Sequence, residues 1–346
     1  MPRTPPSPRA ALACMLAGLL ALPPSGCVDA RDASARRAHT VDSAQPADGV
    51  AMGYSASGAR FVRNIIGFQG PESVRYDADQ DVFFVSNMTG YGSALDGNGY
   101  ISRVSAANPD SASVFVQGGS NGVTLDAPKG LALHGDTLWV ADIHALRAFD
   151  RHTGAPLATI EFAPLRAVQL NDIAIGPDGT IHVTDTGIIM GKDGVVHLGP
   201  DRIFVVGPAR AISVAAEGPQ LRRPNGITWD AARTRWIVVS FDPFVGEVAS
   251  MPGNMSSRTL LRSGKGQLDG VEVLRDGTIL FSSWADSSIH ALRNGRDELV
   301  IRDVAVPADI GVDTRRQRLA IPLSMLGRVQ LWDIGGLTPE AGRAPR

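Results

Sequence analysis

The sequence predicts an all-β fold, a six-bladed β-propeller around a central channel, on three observations. One unit recurs six times, each unit consists of short apolar strands joined by tight turns, and the repeat shows no helical period of 3.6 residues. Repeats of this size built from strands close into a ring, because no single sheet of four short strands buries its own faces.

Each copy opens with a polar residue followed by a short apolar strand. The openings are Pro71-Glu72-Ser73-Val74, Pro128-Lys129-Gly130-Leu131, Leu170-Asn171-Asp172-Ile173, Pro224-Asn225-Gly226-Ile227, Leu268-Asp269-Gly270-Val271 and Ala308-Asp309-Ile310-Gly311. Hairpin turns come next, as in Pro177-Asp178-Gly179-Thr180 and Arg275-Asp276-Gly277-Thr278, where Asp-Gly between apolar runs marks a two-residue turn. Second strands follow at 82–86, 138–141, 181–184, 236–240, 279–283 and 319–322, and third strands such as 144–149, 288–292 and 328–332 end the units. The opening residues recur at intervals of 57, 42, 54, 44 and 40 residues. A spare strand at 60–67 precedes the first unit and is expected to complete the last blade and close the ring.

The chain of 346 residues is 44% hydrophobic, which supplies a large core and excludes a collagen-like or wholly disordered chain. A formal charge of −2 offers no basic field for phosphates, so nucleic acid is not an expected partner. Residues 1–26 read as a signal peptide: Arg3 and Arg9 precede an apolar run at 10–22 that is too short to span a bilayer. Ser25-Gly26 before Cys27 resembles a bacterial lipobox, apart from Pro24 where leucine is usual. Cys27 is therefore the expected lipidation site. The chain is expected to be exported, either as a periplasmic-side lipoprotein touching the membrane only through that anchor or as a secreted protein. Residues 27–58 read as a flexible tether, 59–336 as the propeller and 337–346 as a disordered tail. Cys14 and Cys27 are the chain's two cysteines, so the body has no disulfide, thiolate metal site or cysteine nucleophile.

Propeller geometry turns the residues that open the first strands into one mouth of the channel. Glu72, Asn171, Asn225 and Asp269 then form an all-oxygen set of two carboxylates and two amides. Hard donors without sulfur or imidazole favour Ca²⁺, then Mg²⁺ or Mn²⁺, with Zn²⁺ left open. Taken singly, each of these residues is better explained by a turn cap, and Asp309 is read that way; four oxygen donors at matched positions of different blades reverse that balance. Loops between second and third strands rim the same mouth and carry Met88, Tyr91, His144, Asp185, Met190, Phe241, Trp284, Asp286, Ser324 and Met325. Of these, His144, Asp185, Trp284 and Asp286 are the expected substrate contacts. Lys129, one of three lysines, sits at a channel entry, where it either stabilises an oxyanion or pairs with Asp309.

The motifs Pro-Glu-Ser-Val, Leu-Asn-Asp-Ile, Pro-Asn-Gly-Ile and Leu-Asp-Gly-Val, in this order, resemble the gluconolactonase, regucalcin (senescence marker protein) and luciferin-regenerating enzyme family, over about residues 61–336. More distantly they are similar to the serum paraoxonases. The resemblance implies a six-bladed propeller with a divalent cation held by Glu72, Asn171, Asn225 and Asp269, and hydrolysis of lactones or related esters. Departures from the paraoxonase pattern remove its histidine relay, since Lys129-Gly130 stands where a His-Gly step is expected and Gly270 follows Asp269. A deeper cation site there uses two acids, and here Asp172 matches one while Ser73 replaces the other.

The expected mechanism is metal-dependent hydrolysis of a small-molecule lactone or ester by a monomer, with Asp269 or Glu72 as general base and Lys129 assisting. The competing expectation is a non-catalytic propeller that binds a ligand or partner at the same mouth. No Rossmann or P-loop glycine pattern is present. A strictosidine-synthase-like condensation lacks a glutamate at the entry of the last blade.

Overall fold

The computed structural model describes residues 53–337. The expected signal peptide, Cys27, most of the expected tether and all but the first residue of the expected tail lie outside the described residues. Within them the chain forms six antiparallel blade sheets in a ring, five of four strands and one of five. Blade 1 comprises Pro71–Asp77, Val82–Asn87, Tyr100–Ser105 and Ala112–Gln117. The first strands of blades 2 to 5 are Pro128–His134, Leu170–Ile175, Pro224–Asp230 and Leu268–Val273.

Blade 6 takes three strands from the end of the chain, Gly311–Asp313, Arg318–Leu323 and Arg328–Asp333, and its outer strand, Arg60–Ile66, from the beginning. Ile65 faces Val329 and Asn64 faces Gln330 in that antiparallel pairing. The spare strand read from the sequence thus closes the ring, and closure fastens the two ends of the propeller to one another.

The apolar residues explain why the blades stack. Buried side chains fall into six clusters, one at each interface between neighbouring blades. Phe84, Ile101, Leu131 and Val140 join blades 1 and 2, for example, while Val74, Phe83, Ala320 and Leu331 join blades 1 and 6. Both faces of each sheet are therefore apolar, and each blade depends on two partners.

Two expectations about the propeller's edges are corrected. Gly53 to Gly58 was read as tether, yet Tyr54–Ser55 adds a fifth strand to the outer edge of blade 5, with Tyr54 opposite Arg302. Leu337 was read as tail but is buried in the cluster between blades 5 and 6. Both segments lack the alternating pattern of a long strand, so composition alone reads them as linker.

Candidate functional site

A backbone irregularity aims the site. In blades 1 to 5 the first strand breaks register with the second just after its opening residue. The breaks lie between Pro71 and Val74, Pro128 and Leu131, Leu170 and Ile173, Pro224 and Ile227, and Leu268 and Val271. Such bulges re-aim side chains. They release Glu72, Lys129, Asn171, Asn225 and Asp269 from the ladder, and all five line one pocket at the mouth of the channel.

Glycine follows three of these residues for a steric reason. A Cβ on Gly130 would lie 2.5 Å from the Asp172 Cα, one on Gly226 2.4 Å from the Asp269 carbonyl oxygen, and one on Gly270 2.4 Å from the Ile310 nitrogen. Adjacent first strands approach each other so closely at the axis that any side chain there would force them apart.

The chemistry of the donors fits a cation. Glu72 Oε2, Asn225 Oδ1 and Asp269 Oδ1 are buried and have no hydrogen-bond partner. They come from three different blades and share one pocket with Asn171. Buried acceptors left unpaired are costly, and a hard cation satisfies several at once. Among the described residues no three His, Cys, Asp or Glu side chains cluster as metal ligands. A cation here relies on the two amides for half of its side-chain donors.

Charge leads to the same requirement. Burial pushes the Glu72 carboxyl well above the usual range; Lys129 opposes this, and Asp269 and Asp309 add to it. Asp269 is raised in the same way by burial and by Asp309, again opposed by Lys129. Burial lowers the Lys129 ammonium, with Glu72 and Asp269 holding it up. Lys129 offsets only part of the cost of burying the two carboxylates, and both carboxyls are therefore raised.

A second tier lies deeper in the channel. Arg75, three residues beyond Glu72, pairs with Glu272, lies 3.4 Å from Asp309 and 4.0 Å from Asp172, and donates through Nε to the Leu131 carbonyl at 2.8 Å. Ser73 Oγ donates to Asp309 Oδ2 at 2.5 Å, and Asp172 accepts from the Ile227 N–H at 2.8 Å. Where the resemblance to paraoxonases leaves one acid, Asp172, with Ser73 in place of the other, a guanidinium occupies the tier and joins residues of blades 1, 2, 3, 5 and 6. Asp309, read as a turn cap or partner of Lys129, belongs to this tier. Glu272 is raised to about 7, chiefly by burial, with Arg75 opposing and Asp309 adding. Arg75 was not singled out from the sequence; the matching positions of the other blades hold Ala132, Ala174, Thr228, Glu272 and Val312, so Arg75 and Glu272 as the charged pair among them were the available signal.

Rim loops complete the walls. Met88, Ile188, Met190, Phe241, Trp284 and Ser324 line the pocket, and five of these six lie among the rim residues read from the sequence. Ile188 was missed because the hairpin Ile188–Gly191 with Gly194–His197, an insertion between the second and third strands of blade 3, has no counterpart in the other blades. Phe241 and Trp284 meet edge to face at 5.0 Å.

Of the four expected substrate contacts, only Trp284 lines the pocket. Asp185 is fully buried; it accepts from the Gln169 N–H at 2.9 Å and pairs with Arg202 at 2.8 Å, which fixes the loop entering blade 3. Asp286 turns to His290 at 3.1 Å and accepts from Ser288. His290 is held by Asp297 at 2.7 Å on its other nitrogen, so neither nitrogen is left to activate a serine. His144 is half-buried and outside the pocket, and its carbonyl accepts from the Phe162 N–H at 2.7 Å. Spacing placed all three in rim loops, but local partners turned the two aspartates inward.

Neither a protein-family model nor a curated protein matches the sequence. Solved structures do match. A gluconolactonase from Xanthomonas campestris superposes over 84% of this chain and 99% of its own, with a TM-score of 0.61 at 16% identity. Luciferin-regenerating enzyme covers 79% of this chain and 94% of its own, with a TM-score of 0.57 at 10% identity. The fold is that of these propellers. A further structure assigned as a gluconolactonase covers 82% of this chain, with a TM-score of 0.57 at 15% identity. The six-bladed propeller fold is thus shared over 79–84% of this chain, while the residues of this pocket are read from this chain itself.

Proposed function

We propose that the pocket hydrolyses a lactone or related ester, with a divalent cation held by Glu72, Asn171, Asn225 and Asp269. The observation that carries this reading is the convergence of three buried, unpartnered oxygens, on Glu72, Asn225 and Asp269, beside a buried lysine. When bound, the cation polarises the carbonyl and lowers the pKa of a nearby water; the hard donor set favours Ca²⁺ over Mg²⁺, Mn²⁺ or Zn²⁺.

The chain's own residues supply the rest. Lys129 Nζ contacts only the weak acceptor Met88 Sδ, at 3.1 Å, among its hydrogen bonds, so its N–H donors are available to negative charge developing on the carbonyl oxygen. Asp269 or Glu72 accepts the proton of the attacking water, since each carries a carboxyl oxygen facing the pocket. Ser324 is not a nucleophile here, because its hydroxyl donates to the Pro71 carbonyl at 2.7 Å. The apolar walls exclude bulk water and strengthen each of these interactions.

The similarity to gluconolactonase structures supports a lactone hydrolase at the level of fold. The same proposal has the enzyme acting as a monomer outside the cytoplasm, exported by its leader and anchored through lipid on Cys27 or secreted. Metal analysis of the purified protein, with a panel of lactones and esters assayed with and without chelator, tests the function. Chelator-sensitive turnover restored by Ca²⁺ supports it. Tight cation binding with no turnover across the panel establishes the binding propeller instead.

A further inference from the structure

We infer that the substrate carries an apolar substituent and is not a polyhydroxylated sugar lactone; this rests on the hydrolase reading above and concerns the same site. Four of the pocket's polar side chains are the proposed cation ligands, and a fifth, Lys129, faces the reacting carbonyl. Ser324 has its proton committed to Pro71. The remaining wall is Met88, Ile188, Met190, Phe241 and Trp284, in which the buried, unpartnered Trp284 Nε1–H is the single strong side-chain donor. A sugar lactone would bring several ring hydroxyls against thioethers, aliphatic chains and aromatic faces, and a hydroxyl desolvated without a partner weakens binding. An alkyl or aryl group gains from the same contacts.

The apolar surface continues outward. Tyr91 lies in the loop that begins at Met88, Ile189 lies between Ile188 and Met190, Phe244 is three residues beyond Phe241, and Met325 follows Ser324. All four are exposed, Phe244 at 85% and Met325 at 79%. Side chains of this size left in water beside an apolar pocket mark a surface that receives something apolar.

The roof gives the direction. The Met190 N–H donates to Ser93 Oγ at 2.9 Å, joining the blade 3 hairpin to the blade 1 loop. A Cβ on Gly92 would stand 3.4 Å from Lys129 Nζ. The two elements thus meet over blade 2 and leave Lys129 only 1% exposed. The substituent therefore points away from Lys129, along Phe241 and Trp284 and out between blades 4 and 6, where Phe244 and Met325 extend its path.

The test uses the full chain with Ca²⁺ present. A series of alkyl γ-lactones of increasing chain length and glucono-δ-lactone are compared as substrates, and the matching alkyl lactams and gluconolactam, which are not turned over, are compared by calorimetry. kcat/KM and lactam affinity are expected to rise by up to about fourfold per added methylene, the full value of burying one such group, until the chain leaves the rim. Phe244→Ser and Met325→Ser are expected to lose that gain for the longest chains only, leaving short lactones unchanged. Preferred turnover of glucono-δ-lactone would overturn the inference while the hydrolase reading stands. If no lactone is hydrolysed, the hydrolase reading fails and the lactams decide the pocket's preference: tighter binding of long alkyl lactams supports it, and tighter binding of gluconolactam overturns it.

Discussion

The main-chain N–H of Asp309 donates to the carbonyl oxygen of Glu72 at 2.8 Å, so the last blade clasps the first at the residue proposed to hold the cation. The Val74 N–H returns a bond to the Asp309 carbonyl at 3.3 Å, and Ser73 Oγ holds the Asp309 carboxylate at 2.5 Å. Ring closure and ligand placement are one piece of structure here, and Arg75 beneath them carries the positive charge of the lower tier.

This clasp predicts a large stability effect away from the chemistry. Asp309→Ala removes a carboxylate buried against Arg75 and leaves the guanidinium short of a partner. The expected destabilisation is about 3–5 kcal/mol, measured by denaturant unfolding. Ser73→Ala loses one buried hydrogen bond, and its expected cost is about 1–3 kcal/mol. A change within error for Asp309→Ala would show that the Asp309 carboxylate contributes nothing.

Lys129 separates binding from turnover. Lys129→Met keeps the length of the side chain and removes the ammonium beside the carbonyl. The cation should still bind, since a neighbouring positive charge has gone, while kcat falls by about 10²–10³, or about 2.7–4 kcal/mol. Loss of cation binding in this variant would instead make Lys129 part of the scaffold that positions the ligands.

A pH dependence follows from His290. Burial alone would lower its pKa, but hydrogen bonds with Asp286 and Asp297 outweigh burial and raise it from 6.5 to about 9. A group raised on folding stabilises fully below its unfolded pKa and loses that contribution as pH rises through the folded value. The unfolding temperature is therefore expected to fall between about pH 6.5 and about pH 9, and His290→Gln should flatten that slope. An identical slope in the variant would place the titration elsewhere.

The leader carries its own prediction. Cys27→Ala should move the protein from the membrane pellet to the soluble exported fraction, followed by cell fractionation. Wild-type protein already found wholly in the soluble fraction would favour plain secretion over the lipid anchor.

Much of this architecture is legible in the sequence, because a propeller repeats its own signals. The opening dipeptides located the first strands, the Asp-Gly turns located hairpins, and the spare strand at 60–66 matched the blade that lacked an outer strand. The four proposed ligands were found because they occupy equivalent positions, so position in the repeat placed them in one pocket. Asp185 and Asp286 escaped that logic. A repeat fixes which loop holds a residue, while the direction of the side chain depends on partners such as Arg202 and His290. Arg75 escaped for a related reason: its role exists only once acids from three other blades surround it.

Asp269 is proposed to help hold a cation on which hydrolysis depends. Calcium titrated calorimetrically into metal-stripped wild-type protein and into Asp269→Ala, with lactone hydrolysis assayed on the same samples, tests it most directly. The account predicts saturable binding and turnover in the wild type, with both largely lost in a variant that unfolds at nearly the same temperature. Lactone hydrolysis unchanged in a folded Asp269→Ala protein would contradict it.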